Sequence, residues 1–296
     1  MDRLRIFVSR HSAFYSPLIA ALAGAFLERE GLEADYAVLP PGVQSRDLIR
    51  RGEADMVQSA VSSNWGPMEA GEKDLPVHFA QINCRDGFFL VGREPDPGFG
   101  WQKLEGATLL ADHGGQPLAM LRYAARRQGV DWRRVQVVNA GSVEAMDAAF
   151  RAGQGDYVHQ QGPAPQQLEQ DGVGYTVASV GEAMPEVAFS SLSASRTFLR
   201  TGPAGRFLRA YRQAREWVRT APADEVARTE AGFFPGVAPE ALAAAVARYQ
   251  QLGCWNGEMA IERDRYEQAL DVFLSQGLIR RRLPYEEVVV DPAGAI

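Results

Sequence analysis

One short pattern, Gly-x-x-Asp-x-Val, occurs once in each half of the chain, at Gly52-Glu53-Ala54-Asp55-Met56-Val57 and at Gly153-Gln154-Gly155-Asp156-Tyr157-Val158. Each glycine follows a stretch with helical apolar spacing, and each valine leads into neutral polar residues: Gln58-Ser59 in the first copy, His159-Gln160-Gln161 in the second. Glycine closes a helix because it takes left-handed dihedrals without a Cβ clash. A helix laid on a sheet and feeding a parallel strand needs this punctuation, so two copies predict two similar α/β halves. In the second copy the strand is expected over residues 156–158, and residues 159–163 read as too polar for a core and end in the Gly162-Pro163 turn signal. The strand is thus expected to deliver its polar lip to an edge of the sheet, where the candidate site lies.

The remaining elements fit this frame. Strands are expected over residues 4–9, 32–39, 55–61, 76–83, 88–91, 107–111, 135–139, 175–180 and 187–193. Helices are expected over 18–30, up to Arg51, from Ser62-Ser63-Asn64 onward, from Asp112-His113-Gly114-Gly115 to about Gln128, and over 142–152. From Arg196 the pattern turns helical, over 196–220, 223–229, 239–252 and 262–275, and residues 288–290 read as extended. The polar breaks at Cys84-Arg85-Asp86-Gly87 and at residues 181–186 read as crossovers between lobes.

Composition narrows the function. With 296 residues and 46% hydrophobic content the chain can bury the core of two lobes. A net charge of -6 argues against a nucleic-acid partner, which needs clustered basic charge. No apolar run is long enough to span a membrane, so no membrane insertion is expected. Cys84 and Cys254 are the only cysteines and are expected as free thiols. No two of His11, His78, His113 and His159 are four residues apart, so no metal site is expected, and no cofactor is implied. The first residues enter a strand with none of the features of a secretory signal, so as written the chain reads as cytoplasmic, and as periplasmic if a leader was removed.

His11, His113 and His159 each follow an expected strand, where ligands bind in open α/β sheets; His78 lies within a strand and reads as structural. Phe14, Tyr15 and Trp65 offer aromatic faces, Gln58, Ser59, Gln160 and Gln161 offer neutral hydrogen-bonding groups, and Arg10 and Arg85 can pair with an anion. Gly114 and Gly115 open a helix whose free amides and dipole favour negative charge. Gly-x-Ser-x-Gly is absent, and although Asp112 with His113 could transfer a proton, the sequence does not single that pair out.

The stretches SAFYSPLIAAL, LIRRGEADMVQSA and GDYVHQQGPAPQQLE, with the two crossovers and the helical last third, resemble the type II periplasmic-binding-protein fold. More narrowly, the chain resembles the solute-binding proteins of nitrate, sulfonate, taurine and thiamine-precursor ABC importers, which share their fold with the fungal thiamine-pyrimidine synthases. The resemblance implies an α/β chain of two lobes, each a mixed sheet flanked by helices, with a helical C-terminal region. Residues 1–85 and 188–296 would form one lobe and 86–187 the other. It implies a small anionic or heteroaromatic ligand in the cleft, held by Arg10, His11, Phe14, Tyr15, Gln58, Ser59, Asn64, His113, Gly114, Gly115, His159 and Gln160, and an ABC permease as partner. In the synthases a histidine stands where this chain has Tyr15, and their cysteine-rich iron motif has no counterpart here, which excludes suicide synthesis of a thiamine precursor. The rival reading is a cytosolic enzyme or ligand sensor on the same fold.

Overall fold

The structure, a computed structural model, describes residues 1–111 and 115–291. The chain begins with β1 (Asp2–Val8), α1 (Ser16–Ala23), α2 (Phe26–Arg29), β2 (Leu32–Val38), α3 (Ser45–Arg50), β3 (Met56–Ser59), α4 (Trp65–Glu69) and β4 (Val77–Asn83). A second run holds β5 (Phe88–Gly92), β6 (Thr108–Leu110), α5 (Gly115–Arg127), β7 (Gln136–Val138), α6 (Val143–Arg151), β8 (Tyr157–Gln161), α7 (Ala164–Gln170) and β9 (Tyr175–Ser179). The chain returns through β10 (Ser190–Ala194) and ends in α8 (Gly202–Thr220), α9 (Ala223–Glu230), α10 (Pro239–Leu252), α11 (Arg263–Leu274) and α12 (Tyr285–Val288).

The strands form two five-stranded sheets, ordered β2-β1-β3-β10-β4 and β7-β6-β8-β5-β9. In each, three strands run parallel and the fourth runs antiparallel: β10 beside β3, β5 beside β8. That antiparallel strand enters from the other sheet, directly after a crossover at residues 84–87 or 180–189.

The repeated joint makes the same bonds in both sheets. The Asp55 amide donates to Arg5 O at 3.0 Å while its carboxylate accepts from Arg5 N at 2.7 Å. The Asp156 amide donates to Thr108 O at 2.8 Å and its carboxylate accepts from Thr108 N at 2.7 Å. Each aspartate therefore pins the start of its strand to the neighbouring parallel strand, β1 or β6, and Gly52 and Gly153 turn the chain into it at φ of 66° and 85°.

Several expectations need correction. Residues 18–30 form two helices, because Ala25 takes a left-handed φ of 57° where Phe26 turns to pack on Trp217 of α8, with ring centroids 5.9 Å apart. The third strand stops at Ser59, followed by a 3-10 turn over Val61–Asn64. A 3-10 turn over Phe198–Arg200 precedes α8, which starts at Gly202. Tyr285–Val288 is helical, and Val289 alone bridges to His78 of β4. The strand does not end at residue 158 or deliver its polar lip to an edge: His159, Gln160 and Gln161 continue β8, the central strand of its sheet, and are buried.

One apolar core runs from Leu4, Ile6 and Val8 of β1 through Phe88 to Leu90 of β5 and into Leu208, Tyr211 and Tyr249 of the C-terminal helices. A smaller cluster of Val91, Leu110, Met146, Phe150, Val158 and Leu168 fills the far face of the second sheet. In the helical layer, α8 packs on α1 and α2, whereas α10 packs on both α9 and α7. The last third of the chain thus touches helices belonging to both sheets.

Candidate functional site

The loop after β1 meets the end of β8. Ser12 caps the turn over Ala13–Tyr15 by accepting from Phe14 N at 3.1 Å, and its hydroxyl donates to Gly162 O at 2.6 Å. Ala13 N donates to the same oxygen at 3.1 Å. From α10 the Tyr249 hydroxyl accepts from Gly162 N at 2.6 Å and donates to Gly87 O at 3.0 Å. Main-chain groups at the tip of one sheet are therefore satisfied by the other sheet and by the helical layer, as a closed cleft requires.

Arg10 stands between two cavities in this cleft. The first, about 450 Å³, is walled by His11, Phe88, His159, Gln160, Gln161, residues of α6, and Phe233 and Phe234. The second, about 350 Å³, is lined by Tyr15, Gln58, Ser59, Ser62, Ser63, Gly115, Gln116 and Ser190. Each draws on elements of both sheets. Arg10 lies over the Phe88 ring at 6.0 Å, and burial pulls its pKa below the usual arginine value.

In the first cavity, the fully buried His159 ring stacks on Phe88 with centroids 4.3 Å apart, and neither ring nitrogen has a hydrogen-bond partner among the described residues. Burial, and secondarily the charge of Arg10, pushes its pKa down to about 3, so the imidazole is neutral. Both amide atoms of the buried Gln160 likewise have no partner among the described residues. His11 is fixed instead. Its Nε2 donates to Phe233 O at 2.6 Å, which leaves Nδ1 to accept from the Tyr36 hydroxyl at 2.7 Å, and burial lowers its pKa. Its ring also packs on Phe234 at 4.6 Å, so His11 anchors the aromatic segment over the first cavity.

In the second cavity, Gln58 Oε1 accepts from Ser9 N at 3.0 Å and Ser9 Oγ at 2.9 Å. Tyr15 sits between Gln58 and Gln161, whose Nε2 donates to its hydroxyl at 3.5 Å, and burial raises its pKa. Ser59 Oγ lies 3.5 Å from Ser193 Oγ. Gln116 spans the cleft: Oε1 accepts from Ser62 Oγ at 2.8 Å and Nε2 donates to Phe189 O at 2.5 Å. Gly115, exposed at the start of α5, has a φ of 50°.

The structure therefore gathers Arg10, His11, His159 and Gln160 at one cavity and Arg10, Tyr15, Gln58, Ser59 and Gly115 at the other. Phe14 does not reach either. It is buried among Tyr15, Phe189 and Tyr249 and fills the space a Cβ on Gly87 would take, 2.2 Å from its ring. Asn64 is buried as well, its Nδ2 donating to Pro76 O at 2.7 Å. Trp65 is a core residue bonded to the Tyr266 hydroxyl at 3.1 Å. Arg85 bridges the two crossovers, donating to Gly181 O at 2.9 Å and pairing with Glu186 at 3.1 Å. Asp112, His113 and Gly114 lie outside the described residues. Sequence reasoning passed over Phe88, Ser12, Gln116 and the Phe233-Phe234 pair, of which only the last carries a visible signal, two adjacent aromatics before a Pro-Gly turn.

Two sheets of one pattern, joined by two crossovers and enclosing a polar cleft, define a type II periplasmic-binding-protein-like fold. The family model described as NMT1/THI5 like matches residues 13–225, and the chain belongs to that family. It is 25% identical over 293 residues to the putative binding protein YtlA of Bacillus subtilis (strain 168), covering 98% of this chain and 88% of that one. Among solved structures it is similar to the ligand binding component of an ABC-type import system from Staphylococcus aureus, with a TM-score of 0.78, 12% identity and coverage of 98% of this chain and 97% of that one. It is also similar to the alkanesulfonate-binding protein SsuA from Xanthomonas axonopodis pv. citri bound to MOPS, with a TM-score of 0.72, 19% identity and coverage of 100% and 98%.

Proposed function

We propose that the protein is the ligand-binding component of an ABC import system, closing on a small anionic or heteroaromatic metabolite and handing it to a permease. One observation carries the reading: the Arg10 cation lies between two cavities built from both sheets, beside His159 and Gln160, whose buried polar atoms have no partner among the described residues. Buried polar groups are normally paired, so orphans facing a cavity favour a ligand that pairs them. In this reading Arg10 receives the negative charge and the hydroxyl and amide groups of the second cavity surround it, with Gly115 and the start of α5 on the far side. A planar body lies in the first cavity against Phe88 and His159. Phe14 and Asn64 support these residues from behind.

Residues 1–85 with 188–296 and residues 86–187 act as lobes that bend at the crossovers, and lobe-spanning contacts such as Ser62 to Gln116 favour the closed form. Binding and release need no covalent step. Import requires the protein to meet its ligand outside the cytoplasmic membrane, in keeping with the import systems of its relatives. Isothermal titration against nitrate, MOPS, taurine and a set of pyrimidines tests the reading. One class is expected to bind, with Arg10→Ala weakening an anionic ligand about 10- to 100-fold. Absence of heat with every member, or binding untouched by loss of Arg10, contradicts it.

A further inference from the structure

Cys84 opens the first crossover directly after β4, and Cys254 follows Gly253 at the end of α10. Both are free thiols with no exposed surface, and the binding cleft uses neither. Far apart in sequence, they are adjacent in the fold. Cys84 N donates to Cys254 O at 2.9 Å, and Cys84 Sγ lies 3.4 Å from that same oxygen and 3.3 Å from Gly253 O. That bond and the Sγ contact place the two residues side by side in the fold, as a disulfide needs, whose Cα atoms stand roughly 4.4–6.8 Å apart.

Both backbones are held there by other bonds. Val187 N donates to Cys84 O at 3.0 Å, Cys254 N donates to Tyr249 O at 3.1 Å, and the Trp255 indole donates to Phe14 O at 3.0 Å.

We propose that Cys84 and Cys254 are a disulfide-forming pair that, when oxidised, bonds the first crossover to the end of the third long C-terminal helix. The oxidant is a small-molecule disulfide such as oxidised glutathione. Both thiols are buried and burial raises the pKa of each, so the reaction proceeds through transient opening of the crossover: the thiolate of one cysteine attacks the oxidant, forming a mixed disulfide and expelling one glutathione thiolate. The second cysteine thiolate then attacks the protein sulfur of that mixed disulfide and expels the other. The pair loses two electrons and two protons, and glutathione disulfide gains them as two thiols. The bond closes most of the chain into a loop, which restricts the unfolded state and raises stability. Reduced, the two thiols pack as small apolar groups.

The test oxidises the native protein with glutathione disulfide, blocks remaining thiols with N-ethylmaleimide under denaturing conditions, and reads the intact mass and the melting temperature. The expected product has lost two hydrogen atoms, carries no maleimide and yields one peptide containing both cysteines. Its melting temperature rises by about 5–10 °C, and dithiothreitol reverses the rise. Cys84→Ser and Cys254→Ala are each expected to abolish the rise and retain one maleimide-reactive thiol. Two maleimides on the oxidised wild-type protein, or glutathione adducts with no internal cross-link, overturn the proposal, and that readout stands even if a variant fails to fold.

Discussion

Asp86, in the first crossover, is a carboxyl group without solvent. Its Oδ1 accepts from Phe88 N at 2.7 Å, its Oδ2 has no partner among the described residues, and burial pushes its pKa up to about 8. Folded protein thus holds a proton on Asp86 across a pH range in which the unfolded chain, with an ordinary aspartate, has released it. The stabilisation is complete below about pH 4 and is lost as pH rises towards about 8, with a slope of up to about 1.4 kcal/mol per pH unit from this group. Asp86→Asn keeps the acceptor for Phe88 and removes the proton, so its melting temperature is expected to gain on wild type steadily between pH 5 and 8. Parallel melting curves over that range are inconsistent with a neutral Asp86. His159 and Gln160 give a second expectation. An unpaired buried polar group costs about 1–3 kcal/mol, so Gln160→Met should hold or raise thermal stability while weakening the ligand about tenfold, measured by scanning fluorimetry and titration. A drop in both quantities marks Gln160 as a structural residue.

At the scale of elements, the two aspartate joints perform one task in two sheets. Asp55→Ala and Asp156→Ala each strip the acceptor from a strand amide and are expected to cost about 1 kcal/mol. Asp55→Ala should cost more, because the Arg5 guanidinium also pairs with that carboxylate at 2.7 Å. Urea unfolding of both variants checks the order, and the reverse order contradicts the account. These joints were legible in the sequence because helix, glycine, aspartate and strand are neighbours along the chain. The pairing of Cys84 with Cys254 and the arrival of Phe233 and Phe234 over the first cavity were not, since each depends on the helical layer folding back. The break at Ala25 was hidden for the same reason, since the Phe26 that follows it packs on Trp217, far along the chain. The tip of β8 misled in a more informative way: three polar residues in a row read as too polar for a core and bound for an edge, whereas the chain buries them in a central strand beside a cavity. Local rules fail there because the burial of those groups follows from the cleft and not from the strand.

Across the whole molecule, the crossovers decide how closely the two sheets approach. A Cβ on Gly181 would stand 2.3 Å from the main-chain oxygen of Asp86, so the return crossover lies against the outgoing one with no room for a side chain. Gly87 presses equally hard on the ring of Phe14. Gly181→Ala meets rigid backbone, so it is expected to cost about 1–3 kcal/mol and to weaken ligand binding by prising the crossovers apart. Thermal melts and titration of this variant check both effects, and wild-type behaviour in each would remove the crossovers from the account of closure. The central claim, that a ligand sits between the sheets at Arg10, is tested most directly by a crystal structure of the protein carrying a bound ligand. Density within hydrogen-bond distance of Arg10, touched by residues of both sheets, is the expected result. A ligand held by one sheet alone, or on an outer surface with the cleft closed on itself, contradicts it.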